Sequence, residues 1–547
     1  MTPHLRTFRR CRFASARLLV AIAVVAALAG PADAQTPQDG NGGWWRAWSP
    51  LAPVADLVSP AAPTVRMPHL LVAPAPRAGL AWTAGNPAGL PQDARKPYTA
   101  FRAGLFGEDG AYARPLDPGS VRSTVASAQG WRPLGTSGGV VGSVTVARTS
   151  LADGAPADLA EPYGMSPHLF ADSSGADVGR TLARLEGAGG WRIGAWSSGF
   201  ALGHQSWDTR TDVSQVPRSQ RGSRSGASAG LSWALLDGAL VLATSARWLS
   251  QVEAMSVSTR QAQTSVYLVS GYGEPVVLAL AERQGYARRA EREGGSAGVS
   301  AQLERAGARW VAFAEASKLG ERQTEQASND PPADRWDAQG WRAGVAMERV
   351  PGEGRAGLVA GASWARVSGD AMRAGLEEEG TVFDASESAL EAWLDLRLQA
   401  DGGWRAGLRA SVVRDERDRH DRLARVGSSL RSWRPEMAVE GALDVGRSFT
   451  IGVGGGVAWH TPEGGIPDPT SLGHRYSAWV GRGLSYEATP SRAASGSVTL
   501  AWNRAEGERL AVEVDYGRAM PRDTDVTLPL APEGRRTRWE LSMSWVW

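Results

Sequence analysis

The last ten residues, Arg538 to Trp547, constrain this chain more than any other stretch. Read with a period of two, Trp539, Leu541, Met543, Trp545 and Trp547 share one face, and Arg538, Glu540, Ser542, Ser544 and Val546 share the other. Such a strand stands between two solvents, one apolar and one wet. Two architectures accept it: the edge of a soluble β-sandwich, or the last strand of a membrane barrel.

The preceding sequence repeats the pattern. From about Tyr98 onward, alternating runs are joined by glycine-containing turns. In Ser388 to Leu398, Leu390, Ala392, Leu394, Leu396 and Leu398 oppose Glu391, Trp393, Asp395 and Arg397. The turn Ala400-Asp-Gly-Gly403 follows, and then Trp404, Ala406, Leu408, Ala410 and Val412 oppose Arg405, Gly407, Arg409 and Ser411. Further short turns are expected at Gly187 to Gly190, Leu236 to Gly238, Pro351 to Gly354, Val445-Gly446 and Ala505 to Gly507. Longer polar stretches separate the hairpins: Asp208 to Ser225, Gly320 to Asp337, Gly369 to Glu387 and Asp415 to Ser432.

Short turn, strand, long loop, strand is the asymmetry of an outer-membrane barrel, with tight periplasmic turns and long external loops. A solenoid or propeller would repeat one motif at a fixed length, and none recurs here. The expected fold is therefore all-β, a transmembrane antiparallel barrel of about 20 strands, with 18 to 22 allowed, over residues 97–547. Parity places Thr461 to Pro490 in one external loop, with His474 to Tyr486 as loop or short helix.

Two segments precede the barrel. Arg6, Arg9, Arg10, Arg12 and Arg17, an apolar run from Leu18 to Gly30, and Ala32-Asp-Ala34 have the order of a Sec-type signal peptide over residues 1–34. The apolar run is too short for a membrane helix, and no later stretch is long enough, so only a barrel would let this chain span a bilayer. Residues 35–96 hold Trp44, Trp45 and Trp48 and then seven prolines from Pro50 to Pro76. Proline at that density lacks ladder donors, which suits either a periplasmic linker or a segment folded back as a plug.

Charge excludes one class of partner. The formal net charge of +2 includes five arginines and one aspartate from residues 1–34, so the remainder carries −2, which argues against nucleic acid. The single cysteine, Cys11, lies in the export segment and leaves no thiol, disulfide or Cys-based metal site in the remainder.

No reaction chemistry converges. Gly-x-Ser-x-Gly occurs around Ser137, Ser228 and Ser296, but each leads into a β-type run where a nucleophile elbow needs a helix. His168, His204, His420, His460 and His474 are scattered singly. No enzyme, cofactor or metal is expected. The charge runs Glu377 to Glu379 and Arg414 to Arg422 fall in expected external loops as solvated charge. If the alternation holds, Glu391, Asp395, Arg397, Arg405, Arg409, Glu513, Asp515, Arg538 and Glu540 face the lumen, as the wall of a water-filled pore or as ion pairs bracing a closed barrel.

The closing strand, with its outer residues Trp539, Leu541, Met543, Trp545 and Trp547, resembles that of bacterial outer-membrane barrels, whose C-terminal aromatic is read by the barrel-assembly machinery. Most of those end in Phe, and Trp547 is a less common form of the signal. Asn86-Pro-Ala-Gly-Leu90 resembles a stretch that precedes the first strand in several such families, fatty-acid transporters among them. Tyr163-Gly164 through Leu169-Phe-Ala-Asp-Ser-Ser-Gly-Ala-Asp177 resembles a motif of one uncharacterised (domain-of-unknown-function) family of outer-membrane β-barrels, whose members often occur beside TonB-dependent receptors. The resemblance implies a Gram-negative-type outer membrane and, as partners, its lipids and lipopolysaccharide, the assembly machinery and a TonB-dependent receptor. It implies no activity. The expected function is a channel or transporter for a small solute; the alternatives are an accessory barrel presenting loops to a partner and a membrane-embedded hydrolase.

Overall fold

The computed structural model describes residues 86–92, 97–112, 118–154, 168–172, 176–211, 218–258, 264–270, 276–280, 285–325, 333–349, 356–372, 381–399, 403–446, 448–466, 482–504, 508–522 and 532–547. The export segment, most of residues 35–96, the turns expected at 351–354 and 505–507, and the Glu377 run lie outside them.

Twenty-one strands form among the described residues. The first eight are β1 (Tyr98–Gly110), β2 (Ser120–Leu134), β3 (Gly138–Gly154), β4 (His168–Asp172), β5 (Ala176–Ile193), β6 (Trp196–Thr211), β7 (Arg218–Leu235) and β8 (Leu240–Ser258). Then come β9 (Thr264–Ser270), β10 (Val276–Leu280), β11 (Gly285–Arg305), β12 (Ala308–Glu325), β13 (Ala333–Arg349), β14 (Ala356–Met372) and β15 (Thr381–Gln399). The last six are β16 (Trp404–Asp421), β17 (Val426–Val445), β18 (Phe449–Gly465), β19 (Ser491–Asn503), β20 (Arg509–Pro521) and β21 (Arg536–Val546). A one-turn helix, α1 (Arg482–Glu487), precedes β19. No helix among the described residues is long and apolar enough to cross a membrane.

Eighteen of the strands make one antiparallel sheet in sequence order, and β21 pairs with β1 to close it into a barrel. The count is the lower limit expected, because β4, β9 and β10 form a separate three-stranded sheet in the order β10-β9-β4. Tyr98 and Trp547 lie at the same end, called proximal here, where their neighbourhood is tied by Thr99 N to the Trp547 carbonyl (2.8 Å) and Trp547 N to the Thr99 carbonyl (2.9 Å). The small sheet is built from the β3–β5 and β8–β11 connections, both at the opposite, distal end. Its β4–β9 pairing links connections separated by four barrel strands. The motif ending at Asp177 falls here, with Leu169 to Asp172 in β4 and Ala176 opening β5.

The two faces differ as alternation requires. Outward on β15 and β16, Leu390, Leu398 and Trp404 are exposed, while Glu387, Asp395 and Asp415 on the inner face are buried. On β21, Trp539, Leu541, Met543 and Trp545 are exposed outward, and Arg536, Ser542 and Val546 are buried inward. The Trp545 and Trp547 rings are 4.6 Å apart.

Two local expectations are overturned. Gly187 to Gly190 is not a turn but part of β5, and the reversal follows at Gly194, where φ is +60° and Arg192 Nε donates to the Gly194 carbonyl (3.1 Å). Ala188 there belongs to a buried interior cluster with Leu90, Trp131 and Val141, and Gly189 lies against the outward Trp191 and Phe200 rings. The four long polar stretches are also largely strand: β16 runs to Asp421 and β17 starts at Val426, so the Arg414 to Arg422 charge run is a strand end and turn, not a loop. Strands that continue past an apolar layer are wet on both faces, so their polar alternation carries no hydrophobic signal.

Candidate functional site: the barrel interior

The inner wall is a lattice of paired charge. All nine residues expected to face inward share the inward phase of their strands, but in two separate regions, on β15/β16 and on β20/β21. Asp395, buried, meets Arg397 at 3.5 Å, and its register partner is Arg409. Arg405 pairs with Asp444 on β17 at 2.7 Å, and Asp444 also accepts from Thr450. Glu540 meets Arg102 of β1 at 2.9 Å across the closing seam and Arg538 at 3.5 Å, with Asp515 as its register partner. Glu391 lies opposite Val413, and Glu513 opposite Ser542. Elsewhere on the wall Arg342 bridges to Glu315 (2.8 Å), which also accepts from Ser296 Oγ (2.6 Å), and Arg292 meets Glu321 at 2.6 Å. A buried carboxylate is stable only when paired or hydrogen-bonded, and these pairings meet that condition inside the wall.

The distal mouth holds Asp415, Arg417 and Arg419, residues of the Arg414 to Arg422 charge run. Asp415 meets Arg417 at 2.8 Å and Arg434 at 3.1 Å and accepts from Ser432 Oγ at 2.6 Å. Arg419 meets Glu387 at 2.8 Å. From α1, Glu487 reaches both arginines, Arg417 at 3.5 Å and Arg419 at 3.6 Å. Leu484 joins the buried cluster of Trp336, Val367 and Phe383 on β13 to β15, whereas Tyr486 packs with Tyr112, Ala493 and Ala519 beside β1, β19 and β20. The helix thus lies inside the mouth, held to two separated parts of the wall. Just past its end Thr489 Oγ1 donates to the Ser485 carbonyl (2.5 Å), and burial pushes the Tyr112 phenol beside Tyr486 up from its ordinary value. The available signal was phase: Asp415, Arg417 and Arg419 continue the inward register of Arg405 and Arg409.

The proximal end has its own inward element. Pro87–Gln92 forms a 3-10 turn against the inner faces of β5, β6 and β7, with Asn86, Ala88 and Leu90 essentially fully buried. Asn86 Nδ2 donates to the Thr244 carbonyl (3.1 Å), and Asn86 Oδ1 accepts from Ala88 N (3.0 Å). Two wall glycines make room: a Cβ on Gly199 would stand 2.2 Å from the Pro87 carbonyl oxygen, and one on Gly230 would stand 1.8 Å from Asn86 Oδ1.

The three serines of the Gly-x-Ser-x-Gly matches have different places. Ser137 is in an exposed turn, Ser228 is buried on the inner face of β7, and Ser296 bonds Glu315. His204 and His420 are exposed, on the outer face, and His460 faces inward, its ring bonded to the Thr489 carbonyl at 3.3 Å. Among the described residues no histidine meets these serines, and no group of three or more His, Cys, Asp or Glu residues is placed to hold a metal ion. His168 lies in β4 and His474 outside the described residues.

A closed antiparallel barrel, apolar outside, ion-paired inside and entered at both ends by its own chain, is the class of protein these observations define. Residues 87–546 match the model of DUF6850, a family of unknown function, and the chain belongs to that family. No curated protein matches it. Among solved structures it is similar to the copper transporter OprC (9% identity, TM-score 0.40, covering 82% of this chain and 80% of that one). It is likewise similar to the ferric yersiniabactin uptake receptor FyuA from Yersinia pestis (11%, 0.39, 82% and 80%) and to the outer membrane transporter YddB from Escherichia coli (7%, 0.38, 83% and 81%). Likeness at that level says nothing of cargo; the barrel is defined by its own strand pairing.

Proposed function

We propose that the protein is an outer-membrane channel or transporter for a small hydrophilic solute. The proximal end then faces the periplasm and the distal end the outside. On β18 the outward Phe449 and Trp459 are ten residues apart, which at about 3.3 Å per residue and a tilt of about 40° sets two aromatic girdles about 25 Å apart, the height of a barrel's apolar band. The observation that carries the reading is α1: a segment inside the distal mouth, docked through Glu487 on Arg417 and Arg419, narrows the path while leaving charged wall on both sides. A narrowed, charged passage selects by size and sign.

Single-channel recording of the refolded protein in a planar bilayer tests this. Steady open levels are expected, and replacing Arg405 and Arg409 with glutamine should shift the reversal potential in a salt gradient toward cation selectivity. Silence from protein shown to be folded and inserted would overturn the open-channel reading. It would favour the second reading, an accessory barrel, for which the separate sheet of β4, β9 and β10 offers a distal platform for a partner such as a TonB-dependent receptor.

A further inference from the structure

The lumen wall carries an apolar patch where the interior of a water-filled barrel is expected to be polar. Along β14 every inward residue from Val359 to Ala371 is uncharged, and beside it Trp336 and Ala338 of β13 and Phe383 and Ala385 of β15 continue the patch. The Trp336 and Phe383 rings are 6.4 Å apart, and a Cβ on Gly369 would stand 2.3 Å from the Trp336 indole, so that ring lies against β14. The next strand, β16, presents Arg417 and Arg419 to the lumen. Register sets cation beside patch: Arg419 is the partner of Ala385, and Arg417 of Glu387.

One element covers both features. Leu484 of α1 joins the patch, and Glu487, three residues on and so on the same side of the helix, reaches Arg417 and Arg419. Its hold on the guanidiniums is loose. The wall's own pairs, Asp415 with Arg417 and Glu387 with Arg419, are both 2.8 Å long, whereas Glu487 stands at 3.5 and 3.6 Å. A charge-assisted bond is strong at about 2.7 to 2.9 Å, a gap that a carboxylate free of the helix can close. The helix therefore displays the chemistry this part of the wall accepts: an apolar group and a carboxylate, with Cβ atoms about 5 to 6 Å apart, presented from the lumen.

We infer that α1 occupies a binding site for a small amphiphilic carboxylate, which takes the site by displacing the helix. The ring or branched alkyl group of that solute lies on the Trp336–Phe383 patch, and its carboxylate lies between Arg417 and Arg419. The inference names the solute class of the channel proposed above and rests on that reading. It is tested by calorimetric titration of the refolded protein in neutral detergent with phenylpropionate, with propionate, which lacks the ring, and with phenylpropanol, which lacks the charge. Hydrogen exchange at the Ala488 amide, bonded to the Leu484 carbonyl at 2.9 Å, reports the helix. Phenylpropionate should bind about tenfold or more tighter than either control and should speed Ala488 exchange. Glu487→Gln and Leu484→Ala each weaken the competing helix, so each should tighten phenylpropionate binding, by about tenfold, as more molecules present the open site. Binding no stronger than that of phenylpropanol, unchanged Ala488 exchange at saturation, or no tightening in either variant would overturn the inference. Bilayer conductance of the same preparation separates the two readings. Silence with carboxylate-selective binding intact refutes the channel alone, and steady channels without such binding refute the site alone.

Discussion

Replacing Gly199 by alanine should release the proximal segment. The new Cβ would stand 2.2 Å from the Pro87 carbonyl oxygen and 2.4 Å from its carbon, well inside van der Waals contact and against backbone that cannot rotate away. The segment must leave the wall, and its docking energy sets the size of the effect. Exposing Leu90, now 0% exposed, costs about 1.5 to 3 kcal/mol, and losing the Asn86 Nδ2 bond to Thr244 costs about 1 kcal/mol more. Local opening easier by about 2.5 to 4 kcal/mol should speed exchange at the Gly89 amide, which bonds the Asn86 carbonyl at 3.3 Å, by roughly two to three orders of magnitude, at about tenfold per 1.4 kcal/mol. Hydrogen exchange with mass spectrometry on the refolded barrel measures this. Gly441→Ala, whose Cβ meets nothing within 4 Å, is the matched control. Unchanged protection of Gly89 in a folded Gly199→Ala barrel would refute the reasoning.

Three further outcomes follow from the same geometry. Glu487→Gln removes the ion pairs that tie α1 to Arg417 and Arg419, so α1 should undock more easily by about 1 to 2 kcal/mol, seen as faster exchange at the Ala488 amide that bonds the Leu484 carbonyl. Trp547→Ser should block insertion in cells while leaving export intact; membrane-fraction levels equal to wild type would count against Trp547 as part of the assembly signal. Asp337, Asp370 and Asp384 are successive register partners on the outer face, so Asp370→Asn should raise stability toward denaturant by a few tenths of a kcal/mol at low salt and by less at high salt.

The fold was legible wherever a strand separates two different environments. Leu390 to Leu398 and Trp539 to Trp545 announce their outward face because their opposite neighbours are charged. The information ends where both sides are wet: Asp415, Arg417 and Arg419 alternate as strictly as Arg405 and Arg409, yet without an apolar partner row they read as loop. Gly187 to Gly190 misled for a different reason. Ala188 there joins an interior cluster that includes Leu90, a tertiary contact that no local pattern encodes, and Gly189 lies against the outward Trp191 and Phe200. The docking of α1 depends on which distant strands face each other across the mouth, and that is set by closure; its trace in the sequence is Leu484 and Tyr486, the two large apolar side chains within Arg482–Glu487.

Closure also has a kinetic consequence. Every barrel strand except at one seam lies beside its predecessor in the sheet, so seventeen of the eighteen joins can form by adding hairpins to a growing edge. The remaining join, β1 with β21, unites residues more than four hundred positions apart, from Ala100 with Val546 to Gly110 with Arg536. The entropic cost of so long a loop rises only logarithmically with its length, but registering both free edges must wait until the whole sheet exists. Assembly of this protein is therefore expected to show a late single step sensitive to β1 and β21 and indifferent to the hairpins between them, with Arg102 and Glu540 among the contacts that decide its register.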